Sequence, residues 1–284
     1  MRKRKHEEHE VHEIDDPFIV DGRRVYSIRQ INDLPEERKL RIYRTLIPER
    51  VLIDYGIDPI TLRGPRGQLL VKVNAPPGTS FVKVEARHTI DARDPVLYLE
   101  MGDTVNNQLE VLLFVVNDPT APRFDVDRDW RGQRTKFGTL SRNIPEEIRA
   151  MEAGLAPGQV RRGLRLTRHL IPVFERFVSN MGHDTFFIEP LAYHNAILFE
   201  RYGFSYVIGR RRMEWINAEF APGGVLYQRL DNSTPFRRPE FAFTVRGRSW
   251  AIHDGILDEP WGGVRMYKRV GHHAGICTFP NATY

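Results

Sequence analysis

The order of local patterns between Gln159 and Phe204 constrains the fold of this chain more than any other feature of its sequence. A glycine among arginines comes first, in residues 160–165, which read VRRGLR. Apolar residues then recur three or four positions apart, as in a helix with one buried face, at Leu166, Leu170, Val173, Phe174, Phe177, Val178 and Met181. The apolar run 185–188 predicts a buried strand, and a second helix with Asn195 leads into a Gly203-Phe204 turn.

The run of glycine and arginines predicts a phosphate-binding loop. The first backbone N–H groups of a helix lack partners within the helix and carry partial positive charge. Arginine side chains beside a glycine at that point add further positive charge. The start of the first helix therefore presents the groups that hold a pyrophosphate.

Loop, helix, strand, Asn-bearing helix and Gly-Phe turn in this order resemble the acyl-CoA-binding half of the GNAT acyltransferase superfamily. The resemblance covers residues 159–204 and extends to the strands before them. It implies an α/β (α+β) fold with a mixed, mostly antiparallel sheet flanked by helices. It also implies acetyl-CoA or another acyl-CoA as cosubstrate and transfer of the acyl group to an amine.

The resemblance also assigns a binding site. In the family, the strand before the phosphate loop splays from its neighbour and pairs with the pantetheine arm, and the Asn of the second helix supports the CoA side. The corresponding strand here is predicted at 109–116. The residues expected to bind the cosubstrate are Phe114, Val115, Val116, Arg161, Arg162, Gly163, Leu164, Arg165 and Asn195.

Two positions depart from the family pattern. The loop usually reads Gln or Arg, then Gly, then Gly or Ala, where this chain has Val160, Gly163 and Arg165. Arg165 is expected either to crowd the loop or to bind phosphate with its own side chain. Phe199 stands where family members often have the Tyr that protonates the CoA thiolate, and a phenyl ring has no proton to donate.

The catalytic candidates lie beside these positions. Acyl transfer from a thioester needs a base for the nucleophile and donors for the oxyanion. Glu110 is the preferred base, with Glu100 and Glu85 as alternatives on neighbouring predicted strands. Tyr193 or Tyr202 would replace the missing acid, and His194 is expected near the acyl group. These are the candidates: Glu110, Tyr193 and His194, then Glu100, Glu85 and Tyr202.

The remaining patterns predict the other elements. Residues 25–31 are predicted as a strand, and Leu34-Pro35-Glu36-Glu37 as a helix start. Further strands are predicted at 69–73, 81–86 and 96–101. Three parts follow: a charged arm over 1–24, a GNAT-like domain over 25–212 with an insertion at 118–158, and an extension over 213–284 that packs on the core or on a partner.

Composition limits the class of protein. The longest apolar run, 111–116, is far shorter than the ~18 residues of a membrane span. One cysteine, Cys277, allows no internal disulfide, which suits a cytoplasmic location. The net charge of +5 comes with 35 Arg against 7 Lys and does not by itself indicate nucleic acid. Arg210-Arg211-Arg212 is expected to be a solvated strand end, not a nucleic-acid surface.

The groups of His, Asp and Cys residues in this sequence do not predict a metal site. His6, His9 and His12 have helical spacing but no fourth ligand, so a polar arm is preferred. Asp125, Asp127 and Asp129 lack the later residues of a calcium loop. The set of His272, His273 and Cys277 does not match a closed zinc site, and the pair of His253 and Asp254 would point apart on a strand.

Three functions remain open at this point. The leading hypothesis is an N-acyltransferase that acts on a small-molecule or protein amine. The second is a non-catalytic GNAT-fold binding or assembly subunit, with the arm and the extension as contacts for a partner or a second copy. The third replaces acetyl-CoA by a long-chain or carrier-protein thioester, with an apolar tunnel shaped by the C-terminal segment.

Overall fold

A computed structural model describes residues 17–135, 138 and 141–284. Nine strands are present in this part of the chain. They are β1 (Ile19–Val20), β2 (Arg23–Arg24), β3 (Val71–Asn74), β4 (Phe81–Ala86), β5 (Leu97–Asp103), β6 (Leu109–Val116), β7 (Thr185–Ile188), β8 (Ser205–Ile208) and β9 (Arg265–Arg269). The predicted metal-binding candidates His6, His9 and His12 lie outside the described residues.

Seven of these strands form one sheet in the order β3-β4-β5-β6-β7-β9-β8. Every neighbouring pair is antiparallel except β6 and β7, which are parallel. The predicted fold class, a mixed and mostly antiparallel sheet flanked by helices, is confirmed. A parallel pair in such a sheet requires a crossover connection between its strands. The segment between β6 and β7 supplies it.

The helices account for most of the remaining elements. They are α1 (Ile28–Asn32), α2 (Glu36–Tyr43), α3 (Glu49–Asp54), α4 (Ile144–Glu152), α5 (Thr167–Asn180), α6 (Tyr193–Arg201), α7 (Arg210–Glu219), α8 (Val225–Gln228) and α9 (Val245–His253), with 3-10 turns at Arg44–Leu46 and Pro239–Phe243. None of these described helices has the length and apolar character needed to cross a bilayer.

The main core lies between one face of the sheet and the helices α1, α2 and α5. Leu97, Leu99 and Met101 alternate along β5 with partly exposed residues and are fully buried. On the helix side, the rings of Tyr43 and Phe177 stack with centroids 6.3 Å apart. The periodicity of α5 thus buries the stripe that the sequence predicts, and Gly182, with φ 83°, follows the helix end.

Two predicted strands are helices in the structure. Residues 25–31 were expected to be extended, but α1 begins at Ile28. Ser27 Oγ accepts the N–H of Gln30, and the Asp103 carboxylate accepts the N–H groups of Ile28 and Arg29 at 2.8 and 3.0 Å. These acceptors stabilise a helix start. Arg210-Arg211-Arg212 opens α7 after Gly209 and is not a strand end.

The core begins before Val25, where the predicted charged arm ends. Phe18 is 3% exposed, its ring meets that of Phe177 at 5.3 Å, and its N–H donates to Asn180 O. The short hairpin of β1 and β2 follows directly. Residues 18–24 therefore belong to the folded part of the chain.

The residues after Arg212 contribute to the sheet itself. β9 lies between β7 and β8, so a division of the chain at Arg212 would remove a central strand. A second cluster of buried apolar residues joins the 118–158 segment to the C-terminal one. Its members are Phe124, Val126, Ala150, Leu155, Phe236 and Trp250. The indole N–H of Trp250 also donates to Leu155 O at 2.8 Å.

Candidate functional site

The loop before α5 exposes an unusual number of backbone donors. The N–H groups of residues 161–168 make no hydrogen bond to any residue that the structure describes. α5 has Leu166 as its N-cap, with no side-chain cap and no acidic residue in its first turn. Unpaired donors at the start of a helix 14 residues long form a region that attracts anions.

This loop is fixed against the end of β6. A Cβ atom on Gly163 would lie 3.1 Å from Val116 O, so only glycine fits here without a shift of the neighbouring backbone. Asp118 N–H donates to Arg162 O at 2.8 Å, and Phe124 N–H donates to Val160 O at 2.8 Å. Two carbonyl groups of the loop, those of Val160 and Arg162, thus face the protein.

The arginines of the loop divide into two kinds. Arg161 is bound internally, with Nε 2.9 Å from Asp94 Oδ2 and Nη1 2.5 Å from Ala121 O. Arg162 and Arg165 are exposed and form no ion pair within the described residues. Exposed Arg168 follows on the first turn of α5, where its Nε lies 3.1 Å from His169 Nε2. Arg161 thus supports the loop, whereas the other three can reach a ligand.

Arg165 has a left-handed backbone with φ 56°. Glycine adopts this conformation at little cost, and most other residues do not. The GNAT resemblance leads to the expectation of a small residue at this position, where this chain has an arginine. The backbone nevertheless has the conformation of the small residue. Arg165 therefore does not block the loop, and its side chain points to solvent.

The strand leading to this loop has an open edge. β6 pairs with β7 only from Leu109 to Val111, whereas its pairing with β5 continues to Val116. A bulge opposite Glu100 and Met101 leaves Leu112 as an extra residue. Residues 112–116, which include the predicted ligands Phe114, Val115 and Val116, therefore have no strand partner on the β7 side in the part of the chain that the structure describes. Their free backbone groups are available to an extended ligand.

Asn195 lies on the first turn of α6, partly exposed. Its side chain makes no hydrogen bond to a described residue. On the next turn, Phe199 is 3% exposed, and its ring meets Phe114 at 6.0 Å and Phe204 at 5.2 Å. α6 therefore faces the open end of β6 with a free amide and a buried phenyl ring.

Glu110 is engaged by an arginine from the C-terminal segment. Its Oε1 lies 3.1 Å from both Nε and Nη2 of Arg265, which also lies over the ring of Phe187 at 4.9 Å. Glu110 points to the sheet face opposite Leu109 and Val111, because side chains alternate along a strand. The predicted base thus lies beside the point where β6 and β7 separate.

The alternative bases form a pair with shared partners. Lys83 Nζ lies 3.8 Å from Glu85 and 4.0 Å from Glu100. The hydroxyl of Tyr98 donates to Glu100, and burial, together with this carboxylate, raises the pKa of Tyr98. These groups lie on β4 and β5, farther from the β6–β7 gap than Glu110.

Tyr193 and His194 are inside the protein. Tyr193 is 1% exposed, its ring meets that of Trp261, and burial raises the pKa of its hydroxyl to about 12. His194 Nδ1 lies 2.9 Å from Ser249 Oγ, and burial, with nearby Arg246 and His253, lowers its pKa to about 3. Both side chains connect α6 to α9 instead of facing the open edge of β6.

In comparisons with protein-family models, curated proteins and solved structures, nothing matched this chain. Among the described residues there is also no group of His, Cys, Asp or Glu side chains arranged to hold a metal ion.

The remaining polar candidates have structural partners. His253 ends α9 and contacts Glu147 at 3.1 Å, whereas Asp254 binds Arg142 and Arg237. Burial alone would raise the pKa of Glu147, but hydrogen bonds from His253 and Arg142 outweigh it and hold that pKa low. This network joins the 118–158 segment to the C-terminal one.

Sequence patterns did not predict two residues of the candidate site, Asp94 and Arg265. Asp94 accepts from Arg161 and also from Arg123, whose Nε lies 3.0 Å from Asp94 Oδ2. Arg265 forms an ion pair with Glu110, which lies 155 residues away in the chain. No local spacing connects either pair, because each is made by segments that meet only in the folded protein.

Proposed function

We propose that this chain is an acyl-CoA-dependent N-acyltransferase with a GNAT-like fold, and that acetyl-CoA is its cosubstrate. One observation carries the proposal. A run of unpaired N–H groups, from Arg161 to Arg168, lies directly beside the open edge of β6. A molecule with a pyrophosphate and an extended amide-bearing arm matches both features at once.

Each part of the site has a role in this proposal. The N–H groups at the start of α5, with Arg162, Arg165 and Arg168, hold the pyrophosphate. The pantetheine arm pairs with residues 112–116 of β6, and the Asn195 amide supports it. The succession of strand, phosphate loop, helix, parallel strand and Asn-bearing helix supports the GNAT-like assignment.

The chemistry follows from where the arm ends. The thioester carbonyl lies where β6 and β7 separate, and free strand N–H groups stabilise its developing oxyanion. The amine nitrogen attacks the carbonyl carbon, the C–N bond forms, and the C–S bond breaks to release CoA thiolate. Glu110 accepts the amine proton, and the thiolate is protonated from solvent or by Tyr202, since Phe199 cannot donate.

A second function is favoured by the state of the catalytic candidates. Glu110 is paired with Arg265, Tyr193 and His194 are buried, and Phe199 replaces the usual acid. A non-catalytic GNAT-fold subunit that binds acyl-CoA or docks on another protein needs none of these groups. The two proposals share the cosubstrate site and differ only in turnover.

Calorimetry with acetyl-CoA tests the shared part. The full chain is expected to bind acetyl-CoA, and Arg162→Glu is expected to weaken binding by at least ~1.5 kcal/mol, about tenfold, through charge reversal. Arg211→Glu is the matched control, since it makes the same charge change on exposed α7 and should leave the affinity unchanged. Absence of binding by the unmodified chain would remove the cosubstrate site.

Thiol release separates the enzyme from the subunit. CoA thiol is followed by a thiol reagent with a panel of small amines and of peptides with free amino groups, against a protein blank that corrects for exposed Cys277. Release that depends on an amine supports the transferase. Tight binding of acetyl-CoA, with no release of CoA thiol in the presence of any amine, supports the subunit. We also propose a cytoplasmic location, which the single cysteine suits, and a small-molecule or protein amine as the acceptor.

A further inference from the structure

Five phenyl rings form a closed circuit beside the gap between β6 and β7. Phe114 meets Phe174 at 5.9 Å and Phe199 at 6.0 Å, and Phe174 meets Phe186 at 6.2 Å. Phe204 completes the circuit, at 5.6 Å from Phe186 and 5.2 Å from Phe199. The rings come from β6, α5, β7, α6 and the turn after α6. They thus span the gap on the side where α5 and α6 pack.

The circuit is a packed part of the core. Phe174, Phe186 and Phe204 are fully buried, and Phe199 is 3% exposed, so only Phe114 has appreciable contact with solvent. Rings in edge and tilted contact at these distances leave no room between them. Chain atoms entering from the open edge of β6 would meet Phe114 and Phe199 first.

A depression of about 260 Å³ borders α6, and Ile197, Glu200 and Arg201 contribute to its lining. These three residues lie on the helix face opposite Asn195 and Phe199, because a helix turns by about 100° per residue. The body of α6 therefore separates the depression from the edge of β6.

We infer that Phe199 and Phe114 form a wall that limits the acyl group of the cosubstrate to a short chain. This inference rests on the proposed function, since it places the thioester at the gap between β6 and β7. The acyl carbon that the amine attacks lies in front of the two rings. Added methylenes would have to displace them from a packed core, which is unfavourable. Phe199, in the position of the family's acid, thus determines acyl-chain length.

Binding of CoA thioesters of different length tests the wall. Calorimetry compares acetyl-CoA with octanoyl-CoA on the full chain. We expect octanoyl-CoA to bind at least tenfold more weakly than acetyl-CoA to the unmodified protein. Phe199→Ala, which removes the ring, is expected to reverse this order, so that octanoyl-CoA binds the tighter of the two.

A matched control separates the wall from general loosening. Phe177→Ala removes an equally buried ring on α5 that packs against Phe18 and Tyr43, outside the circuit. It should lower stability like Phe199→Ala but keep the preference for acetyl-CoA. Should Phe199→Ala fail to fold, Phe114→Ala tests the same wall, since Phe114 is partly exposed and its loss leaves a smaller cavity.

The outcomes distinguish this inference from the proposal on which it rests. Equal or tighter binding of octanoyl-CoA by the unmodified protein overturns the wall and leaves the cosubstrate site standing. An unchanged length preference in the folded ring variants overturns it as well. Failure of the unmodified protein to bind CoA or any CoA thioester overturns the proposed function itself.

Discussion

At the scale of single residues, burial determines the charge of His194, which the sequence predicts as a catalytic group. Its ring is 7% exposed and bonded to Ser249. An imidazole with a pKa of about 3 is neutral at neutral pH and holds its hydrogen bond without charge. Removal from water is the main cause of the lowered pKa, and nearby Arg246 and His253 act in the same direction.

The protein is therefore expected to lose stability in mild acid through His194. Its pKa is about 3 when folded and about 6.5 when unfolded, so the unfolded chain binds the extra proton between these values. The contribution is fully present above pH 6.5 and declines by about 1.4 kcal/mol per pH unit as the pH falls toward 3. Urea unfolding at pH 7.5, 6.5 and 5.5 measures this slope.

Two variants give the comparison. His194→Gln removes the titrating ring and should flatten the decline between pH 6.5 and 5.5, whereas His272→Gln, on an exposed loop, should keep it. An equally steep decline in His194→Gln would assign the acid sensitivity to other groups. Glu147 contributes in a more acidic range, because its pKa is held low in the folded protein. Its contribution to stability is lost as the pH falls below the ordinary carboxyl pKa of the unfolded chain.

At the scale of elements, the loop of residues 160–165, which we propose to bind phosphate, is held in place by a network of ion pairs. Asp94 precedes β5 and joins Arg161 of the loop to Arg123 of the 118–158 segment. Arg123 in turn binds Asp127, with Nη2 2.9 Å from the carboxylate. Burial would raise the pKa of Asp94, but its hydrogen bonds to Arg161 and Arg123 outweigh this and lower it.

Asp94→Asn is expected to weaken both stability and cosubstrate binding. Loss of a carboxylate shared by two arginines should lower the free energy of unfolding by about 1.5–3 kcal/mol. The loosened loop should then bind acetyl-CoA several-fold more weakly, although Asp94 lies behind it. Asp91→Asn, an exposed change three residues earlier, is the control. Urea unfolding measures the stability of both variants, and calorimetry measures their affinity for acetyl-CoA. Unchanged affinity in a destabilised Asp94→Asn protein would show that the ion pairs of Asp94 do not shape the loop.

At the scale of the whole molecule, the chain does not divide where its sequence pattern changes. β9, at residues 265–269, lies between β7 and β8, although 56 residues separate it from β8 in the chain. Trp250 and Phe236 stack with ring centroids 5.2 Å apart and extend the core to the 118–158 segment. The C-terminal residues are thus part of the sheet and pack against the 118–158 segment, which contacts the loop of residues 160–165.

Truncation after Arg212 is accordingly expected to give an aggregating product. It removes the strand that pairs with both β7 and β8 and exposes the apolar surface beneath α9. Removal of residues 1–16 is the matched comparison, because it retains Phe18 and the hairpin of β1 and β2. Size-exclusion chromatography with circular dichroism should show a folded protein only for the second. A soluble, folded product ending at Arg212 would contradict an architecture in which β9 is a central strand of the seven-stranded sheet.

The sequence by itself determined the elements whose pattern is local. The bounds predicted for β4, β6 and β7 agree with the structure, and the apolar stripe of α5 and the stop at Gly182 agree as well. Alternation and helical periodicity record which face of a segment is buried, and this is readable within one segment. The glycine, the arginines and the helix start of residues 160–167 are contiguous as well, so the sequence could predict a phosphate-binding loop there, and phosphate binding stays a prediction.

Only the tertiary structure decided which distant segments meet. The acceptors of Asp103 make a helix of α1 where its residues predicted a strand. Arg265 reaches Glu110, Asp94 holds Arg161, and Phe199 packs on Phe114 because the chain crosses from β6 to β7 and returns with β9. Periodicity states that a residue is buried but does not name its partner. The charge of a carboxylate or the freedom of a ring depends on that partner, and the partner is set by the fold.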